Sequence, residues 1–481
     1  MKTIKYFIVV LVSSVLFSLT GCTDDYHTSS SPNFKLGFSE DTISFDTIFT
    51  TIGSPADKLI IYNRNNYGLK FGAYLGGGSD SPFRINLDGE SGIQFSNMEI
   101  RNDDSIYCFI SATLDKQQSR EPIPVTDSLV FILESGITQK VQLLAYGQDI
   151  IILRGDSITT DRILTSEYPY YIYDSLTVKE NATLYIEPGT SVYIHKNAGI
   201  KVYGKIVANG TADSIITFRG GRTDKLFEDL PYDQISDQWR GILLTTSSYG
   251  NIFNHCDIRN SSFGIKADSS NIELLKLRIS SSKLHNTTGH ALELINCYSE
   301  TDNSLIANSG GNCINISGGR HSFIFSTIAN YYLWGSRNAA ISIANNTSDN
   351  EFALEKADFI NCIITGSSGN EFTTHFVDSI NGDTTCIAEY TVQNSLIMVS
   401  DTISKAFSNC VFDNIENEIS GAKHFVHIAD GDYKFDFRLD SLSSARGIAN
   451  NLHTQDYPID IDGNLRPVDT GPDAGCYQYL K

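Results

Sequence analysis

Positive charge is scarce in this chain. Its 481 residues hold 36 Lys and Arg against 56 Asp and Glu, a formal net charge of −20. Nucleic-acid binding needs clustered cations to meet phosphates, so that class is excluded. Proline is scarce too, 11 residues against 37 glycines, which excludes collagen-like and proline-rich architectures. No Cys-x-x-Cys pair occurs among the nine cysteines and no Cys–His spacing suits zinc, so the sequence reads as needing no metal and no cofactor. Four cysteines instead follow asparagine inside apolar runs: Asn296-Cys297, Asn312-Cys313, Asn361-Cys362 and Asn409-Cys410. They read as small buried thiols. Disorder is excluded as well, because 41% of the residues are hydrophobic and 11% aromatic.

The one long apolar run is at the start. Lys2 and Lys5 precede Tyr6 to Val12 and Val15-Leu16-Phe17, and the run stops at Leu19-Thr20-Gly21-Cys22. It is too short to span a bilayer and reads as a secretory signal. Leu-Thr-Gly-Cys resembles a bacterial lipobox, which implies cleavage after residue 21 and a lipid on Cys22. The acidic pair Asp24-Asp25 resembles the surface-export signal of some Gram-negative lineages. The expectation is a membrane partner through the lipid, on the outer membrane and facing the exterior. Residues 22–33 form the tether, rich in Ser.

Residues 34–152 show short alternating runs between turn signals, such as Ile43 to Phe49, Lys58 to Tyr62, Ser105 to Ile110 and Leu129 to Leu133. Around seven such strands predict an immunoglobulin-like β-sandwich, without the Cys–Trp–Cys core of antibody domains.

Residues 160–450 are different. Strands of three to five residues are broken every eight or so by Gly or Asn, as in Leu184 to Ile194 and Ile200 to Thr211. An apolar-x-Asn unit recurs at Asn260, Asn286, Asn308 and Asn330, with spacings of 26, 22 and 22 residues. Such a period suits one coil of three short strands and three turns. Asparagine suits the turn because it tolerates the left-handed conformation. These features resemble the right-handed parallel β-helix of the pectin-lyase-like superfamily. The fold class expected is therefore all-β, a sandwich followed by a parallel β-helix solenoid. The stretch 451–481 adds Asp460-x-x-Gly463-x-x-Arg466-Pro467 and Pro472-Asp473-x-Gly475-x-Tyr477, similar to the tail of many secreted bacterial β-helix proteins. The resemblance implies a cap over the last coil, fastened by Arg466 pairing with Asp473.

Chemistry is sparse. The glycosidase branch of that superfamily carries Asn-Thr-Asp, Asp-Asp, Gly-His-Gly and Arg-Ile-Lys signatures. Here only Thr288-Gly289-His290-Ala291 and Lys276-Leu277-Arg278-Ile279 approach any of them, in the wrong order, and the match is poor. Alternation points Lys266, Glu293 and Asn315 outward on one face, so Lys266 and Glu293 are either a catalytic pair or a cross-coil ion pair. His290 is a third catalytic candidate. Arg259 and His285 share another outward column and read as solvated. Tyr331, Tyr332 and Trp334 follow Asn330 in a turn, where they either stack on sugar rings or fold back over the coil. Asp-Ser/Thr followed by an aliphatic residue or Thr occurs eleven times, with hydroxyls on Thr42, Thr47, Ser105, Ser128, Ser157, Ser175, Ser214, Ser379, Thr384, Thr402 and Ser441. It resembles an O-glycosylation motif of the same lineages. It is equally what ends a turn before a strand. The functional expectation is a non-catalytic surface protein that binds and displays polysaccharide. The alternatives are a polysaccharide lyase or glycoside hydrolase with an unrecognised site, and a structural or adhesive surface protein.

Overall fold

The computed structural model describes residues 27–227, 229–378, 388–429, 431–467 and 471–480. Cys22 and its signal, and Ser379 and Thr384, lie outside the described residues. The chain divides into two compact units, up to Gln148 and from Asp149 onward.

The first unit is a sandwich of two five-stranded sheets, three strands more than the sequence suggests. One sheet pairs Asp57–Asn63, Asp104–Ala112 and Phe83–Leu87 antiparallel; in the other, Thr42–Phe49 runs parallel to Thr138–Gln148. Alternation sends Ile106, Cys108, Ile110 and Ala112 into the core and leaves Tyr107 and Phe109 on the surface. The Cys108 thiol is pushed up to about 12 by burial.

The second unit is a parallel β-helix with three faces. Face I is an eleven-stranded parallel sheet that begins at Ile151–Leu153, earlier in the sequence than the expected residue 160. It ends at Val411–Asp413, well before residue 450. Faces II and III are the two halves of a continuous seventeen-stranded sheet. Period-two alternation stacks inward side chains in columns, one of which runs Leu176, Ile200, Ile242, Ile265, Leu292, Ile314, Ile341 and Phe372 down face II. On face III, Phe323 and Phe359 stack with centroids 4.7 Å apart.

The turn from face III to face I fixes the register of every later coil. One residue adopts a left-handed conformation: His255, Ser281, Asn303, Phe325, Asn361, Asn394 and Asn409, each with φ between 45° and 58°. A small Ser or Cys follows each time, at 256, 282, 304, 326, 362, 395 and 410. These small residues point inward and link coils. Cys256 N–H donates to Ser282 Oγ at 3.0 Å, Ser282 N–H to Ser304 Oγ at 3.1 Å, and Cys362 N–H to Ser395 Oγ at 2.9 Å. Each hydroxyl then donates to the carbonyl two residues back, as Ser304 does to Asp302 at 2.6 Å. Three of the cysteines thus occupy serine positions in one ladder.

The four asparagines at the turn from face I to face II are also in register, since Arg259 pairs with His285, His285 with Ala307 and Ala307 with Ala329. All four are buried. Asn260, Asn286 and Asn308 are left-handed, whereas Asn330 is not. The Asn330 amide spans Ser309 instead, accepting from its N–H at 3.0 Å and donating to its carbonyl at 2.9 Å.

The tail departs from expectation. It lies along the side of the solenoid and does not close its end. From Leu305 onward the outward residues of face I turn apolar (Leu305, Ala307, Ala329, Ile363, Leu396) and pack against Phe425, Phe437, Leu439, Ala474 and Cys476. Nor do Arg466 and Asp473 form a carboxylate–guanidinium pair. Arg466 donates to Asn303 Oδ1 at 2.8 Å and to the Gly475 carbonyl at 3.1 Å, and its guanidinium lies 4.0 Å from the Phe325 ring. It reaches only the backbone carbonyl of Asp473. The Asp473 carboxylate instead accepts from the N–H groups of Gly447 and Tyr479 and from Gln478. Burial draws the Arg466 guanidinium down to about 10, which still leaves it charged at neutral pH, resting on neutral acceptors and the ring face.

Two stability measurements follow. Ser304→Cys preserves a small inward residue that the ladder uses elsewhere, so its cost stays within about 1 kcal/mol, while Ser304→Leu overpacks the turn by about 1–3 kcal/mol. Denaturant melts that rank the two alike contradict the ladder. His321 is fully buried, bonded to Ser299 Oγ at 2.9 Å and to the Gly318 carbonyl at 2.8 Å, and burial depresses its imidazole to about 4. The unfolded chain therefore binds the extra proton first. The stabilisation is complete above the unfolded value near 6.5 and is lost as pH falls towards 4, by up to roughly 3 kcal/mol. Melts of wild type and His321→Gln should converge over that interval; parallel curves contradict the assignment.

Candidate functional site

Where face I stops being charged and starts being apolar, the tail rises over it and leaves a cleft of about 500 Å³. Its floor is the middle of two outward columns, Asp257, Lys283 and Leu305 of one and Arg259 and His285 of the other. One runs Thr217, Asp257, Lys283, Leu305; the other runs Tyr193, Arg219, Arg259, His285, Ala307. Asp257, Arg259, Lys283 and His285 thus form a two-by-two grid across adjacent coils. One wall is Asp233 and Gln234, from the long excursion between Gly220 and Trp239. The other is the hairpin strand Phe435–Leu439, with Asp462 and Tyr477 from the tail.

The charged groups hold one another in place. Arg259 grips Asp233 with two nitrogens, at 2.9 and 3.2 Å, and Asp257 with the third, at 2.5 Å. Arg219 reaches Asp233 at 3.1 Å. His285 Nε2 lies 3.0 Å from the other oxygen of Asp257. On the opposite wall Arg438 pairs with Asp436 at 2.9 and 3.1 Å. Burial works to raise the Asp257 carboxyl, but Arg259 and His285 outweigh it and hold it well below the usual carboxylate range. Burial raises Asp462, and the charges of Lys283 and Arg438 do not outweigh it. One cleft therefore holds two carboxyls shifted in opposite directions.

Of the residues singled out by sequence, the structure brings few together. Lys266 and Glu293 are in register on face II and form an ion pair at 3.0 Å, both partly exposed, on a different face from the cleft. His290 Nδ1 accepts from the Asn312 N–H at 2.9 Å, and burial lowers its pKa, as expected of a ring that organises a turn. Tyr331 is not a ligand platform. It is 5% exposed and packs edge-on against Phe425 beneath the tail. Tyr332 places its hydroxyl 3.0 Å from Ser236 Oγ. Trp334 donates to the Gln234 carbonyl at 3.1 Å and stacks on Tyr433 at 5.2 Å, so it joins the two walls at one end of the cleft. Asn286 and Asn308 of the asparagine column line the cleft.

Nine of the Asp-Ser/Thr hydroxyl residues are described and none is buried; Ser157, Ser175, Thr402 and Ser441 are exposed. At Asp104-Ser105 and Asp127-Ser128, both within strands, the carboxylate accepts from the next N–H at 2.7 Å.

Arg259 and His285, read from sequence as solvated, are the floor of the cleft. The signal was available in Asp257-Ile258-Arg259 and Lys283-Leu284-His285, two outward charged pairs one coil apart. Nothing in the local pattern announced the walls. Among the described residues, no three His, Cys, Asp or Glu side chains gather as a metal-binding group.

No family model matches the chain. A stretch of 84 residues is 37% identical to the protein bark beetle of Drosophila melanogaster, covering 17% of this chain and 3% of that protein. The catalytic unit of an α-1,3-glucanase from Streptomyces thermodiastaticus covers 73% of this chain and 87% of its own length at 9% identity, with a TM-score of 0.26. A protein of unknown function from Porphyromonas gingivalis covers 27% of this chain and 58% of its own length at 13% identity, with a TM-score of 0.19. Scores this low leave the fold to rest on the strand pairings themselves, which are those of an all-β chain, a sandwich followed by a parallel β-helix.

Proposed function

We propose that this is a lipid-anchored surface protein whose face I cleft binds a neutral polysaccharide strand. The charge balance of the cleft carries the reading. The lining holds Asp233, Asp257, Asp436 and Asp462 against Arg259, Lys283 and Arg438, and Arg219, outside the lining, pairs with Asp233, so neither an anionic nor a cationic ligand gains a large net attraction. What remains are fixed donors and acceptors side by side, suited to adjacent hydroxyls, with Phe435 and Tyr477 offering apolar surface to a sugar ring. The balance weighs against a lyase acting on uronates, which needs surplus cations beside its base. The lipid on Cys22 and the outward orientation rest on the signal and the acidic pair after it.

The opposed shifts of Asp257 and Asp462 favour one second reading, glycosidic hydrolysis, with Asp462 as proton donor and Asp257 as the ionised partner.

A panel of neutral glucans, mannans and galactans beside polygalacturonate and alginate tests both. Binding to a neutral member, weakened about tenfold or more by Asp257→Ala, is the expected result, since that change takes the carboxylate from His285 and from one of the three Arg259 nitrogens. New reducing ends establish the hydrolytic reading. Binding confined to the acidic polymers, or binding indifferent to Asp257→Ala, overturns the proposal.

A further inference from the structure

Resting on the cleft reading, we infer that the tail motif is a site-building device: its docking on the coils sets the ligand affinity, through positioning residues that never touch the ligand.

Asp460 is 2% exposed and acts as a staple. One of its oxygens accepts from the N–H groups of Asp462 and Asn464, at 3.0 and 2.7 Å. The other accepts from the Gln478 N–H at 2.8 Å. Gly463, with φ of 86°, lets the chain turn back inside this bracket. The Ile461 N–H donates to the Cys476 carbonyl at 3.0 Å, so the two halves of the motif are tied side by side. The residues thereby presented to the cleft are Asp462 and Tyr477.

That bracket is bolted to the coils away from the cleft. Arg466 holds Asn303 at the left-handed turn, Cys476 N–H donates to Thr327 Oγ1 at 3.1 Å, and Gly475 N–H donates to the Asn361 carbonyl at 2.8 Å. Asn361 also exchanges two side-chain hydrogen bonds with the backbone of Asn450, at 3.1 and 2.8 Å. Neither Arg466 nor Asn303 lines the cleft. Phe325, a bulky residue held left-handed at φ 48°, supplies the ring on which Arg466 rests. A strained aromatic at that turn has its compensation in the anchor. The inward faces of the coils have their own core, so loosening the bolt should free the wall and leave the floor standing.

A ligand that touches both floor and wall binds only the docked tail, so ligand binding and tail docking form one coupled equilibrium. The test measures amide hydrogen exchange in the tail strands and affinity together, in the full chain, with a mixture of neutral gluco-, manno- and galacto-oligosaccharides as probe. In wild type the probe should slow exchange at Ala474, Gly475 and Cys476. Arg466→Gln, with Asn303→Gly as a second variant that keeps the left-handed turn, should speed exchange there and weaken binding about tenfold. Exchange on face II should be unchanged. Tail amides that the probe does not protect, or affinity unchanged in a variant whose tail exchanges faster, overturn the inference. So does a pair of variants whose tail amides stay as protected as wild type, since the bolt is then not what holds the wall. Failure of the cleft reading looks different: the probe then binds nowhere, or binds without regard to Asp257→Ala.

Discussion

The structure of the second unit depends on one small interaction, the bond from a backbone N–H to the side-chain oxygen of the Ser one coil further along. It works only because the residue before each Ser or Cys turns left-handed and aims the short side chain inward. A strand side chain alternates faces with period two, so a slip of one residue would bury Asp257 and Arg259 and expose Ile258. The ladder opposes that slip where it is bonded, from Cys256 through Ser304 and from Cys362 to Ser395. The cleft floor is thus a product of turn chemistry. Cysteine serves in the ladder because its thiol is small, and burial keeps it protonated: the Cys362 thiol is pushed up to about 12. Such thiols are poor nucleophiles.

The second determinant is the change in character along face I. Charged outward residues are laid down in the coils of Asp257 and Lys283, and apolar ones from Leu305 onward. The apolar stretch makes a seat that water would otherwise cover, and the tail occupies it. The cleft exists at the seam. Its position follows from where the sequence changes from Asp, Arg, Lys and His to Leu, Ala and Ile.

Much of the fold was legible because its signals are local. Alternation gave strands, the recurring Asn gave the coil period, and the outward direction of Lys266, Glu293, Arg259 and His285 followed from period two alone. Two things were not legible for physical reasons. Arg466 and Asp473 are near in sequence and opposite in charge, which suggests a pair. In the fold Arg466 bonds Asn303, 163 residues away, and lies against the Phe325 ring. Tyr331 follows a turn, where exposure is the ordinary expectation, yet the tail returns from far along the chain to bury it. Contacts of that separation leave no periodic trace.

The central claim is that ligand recognition takes place between the charged columns of face I and the hairpin wall. It is tested most directly by photo-crosslinking a neutral oligosaccharide probe and mapping the labelled peptides by mass spectrometry. The account predicts label on the segments 257–259, 283–286 and 435–438. Label confined to Lys266 and Glu293 on face II, or to the sandwich around Tyr107 and Phe109, would contradict it.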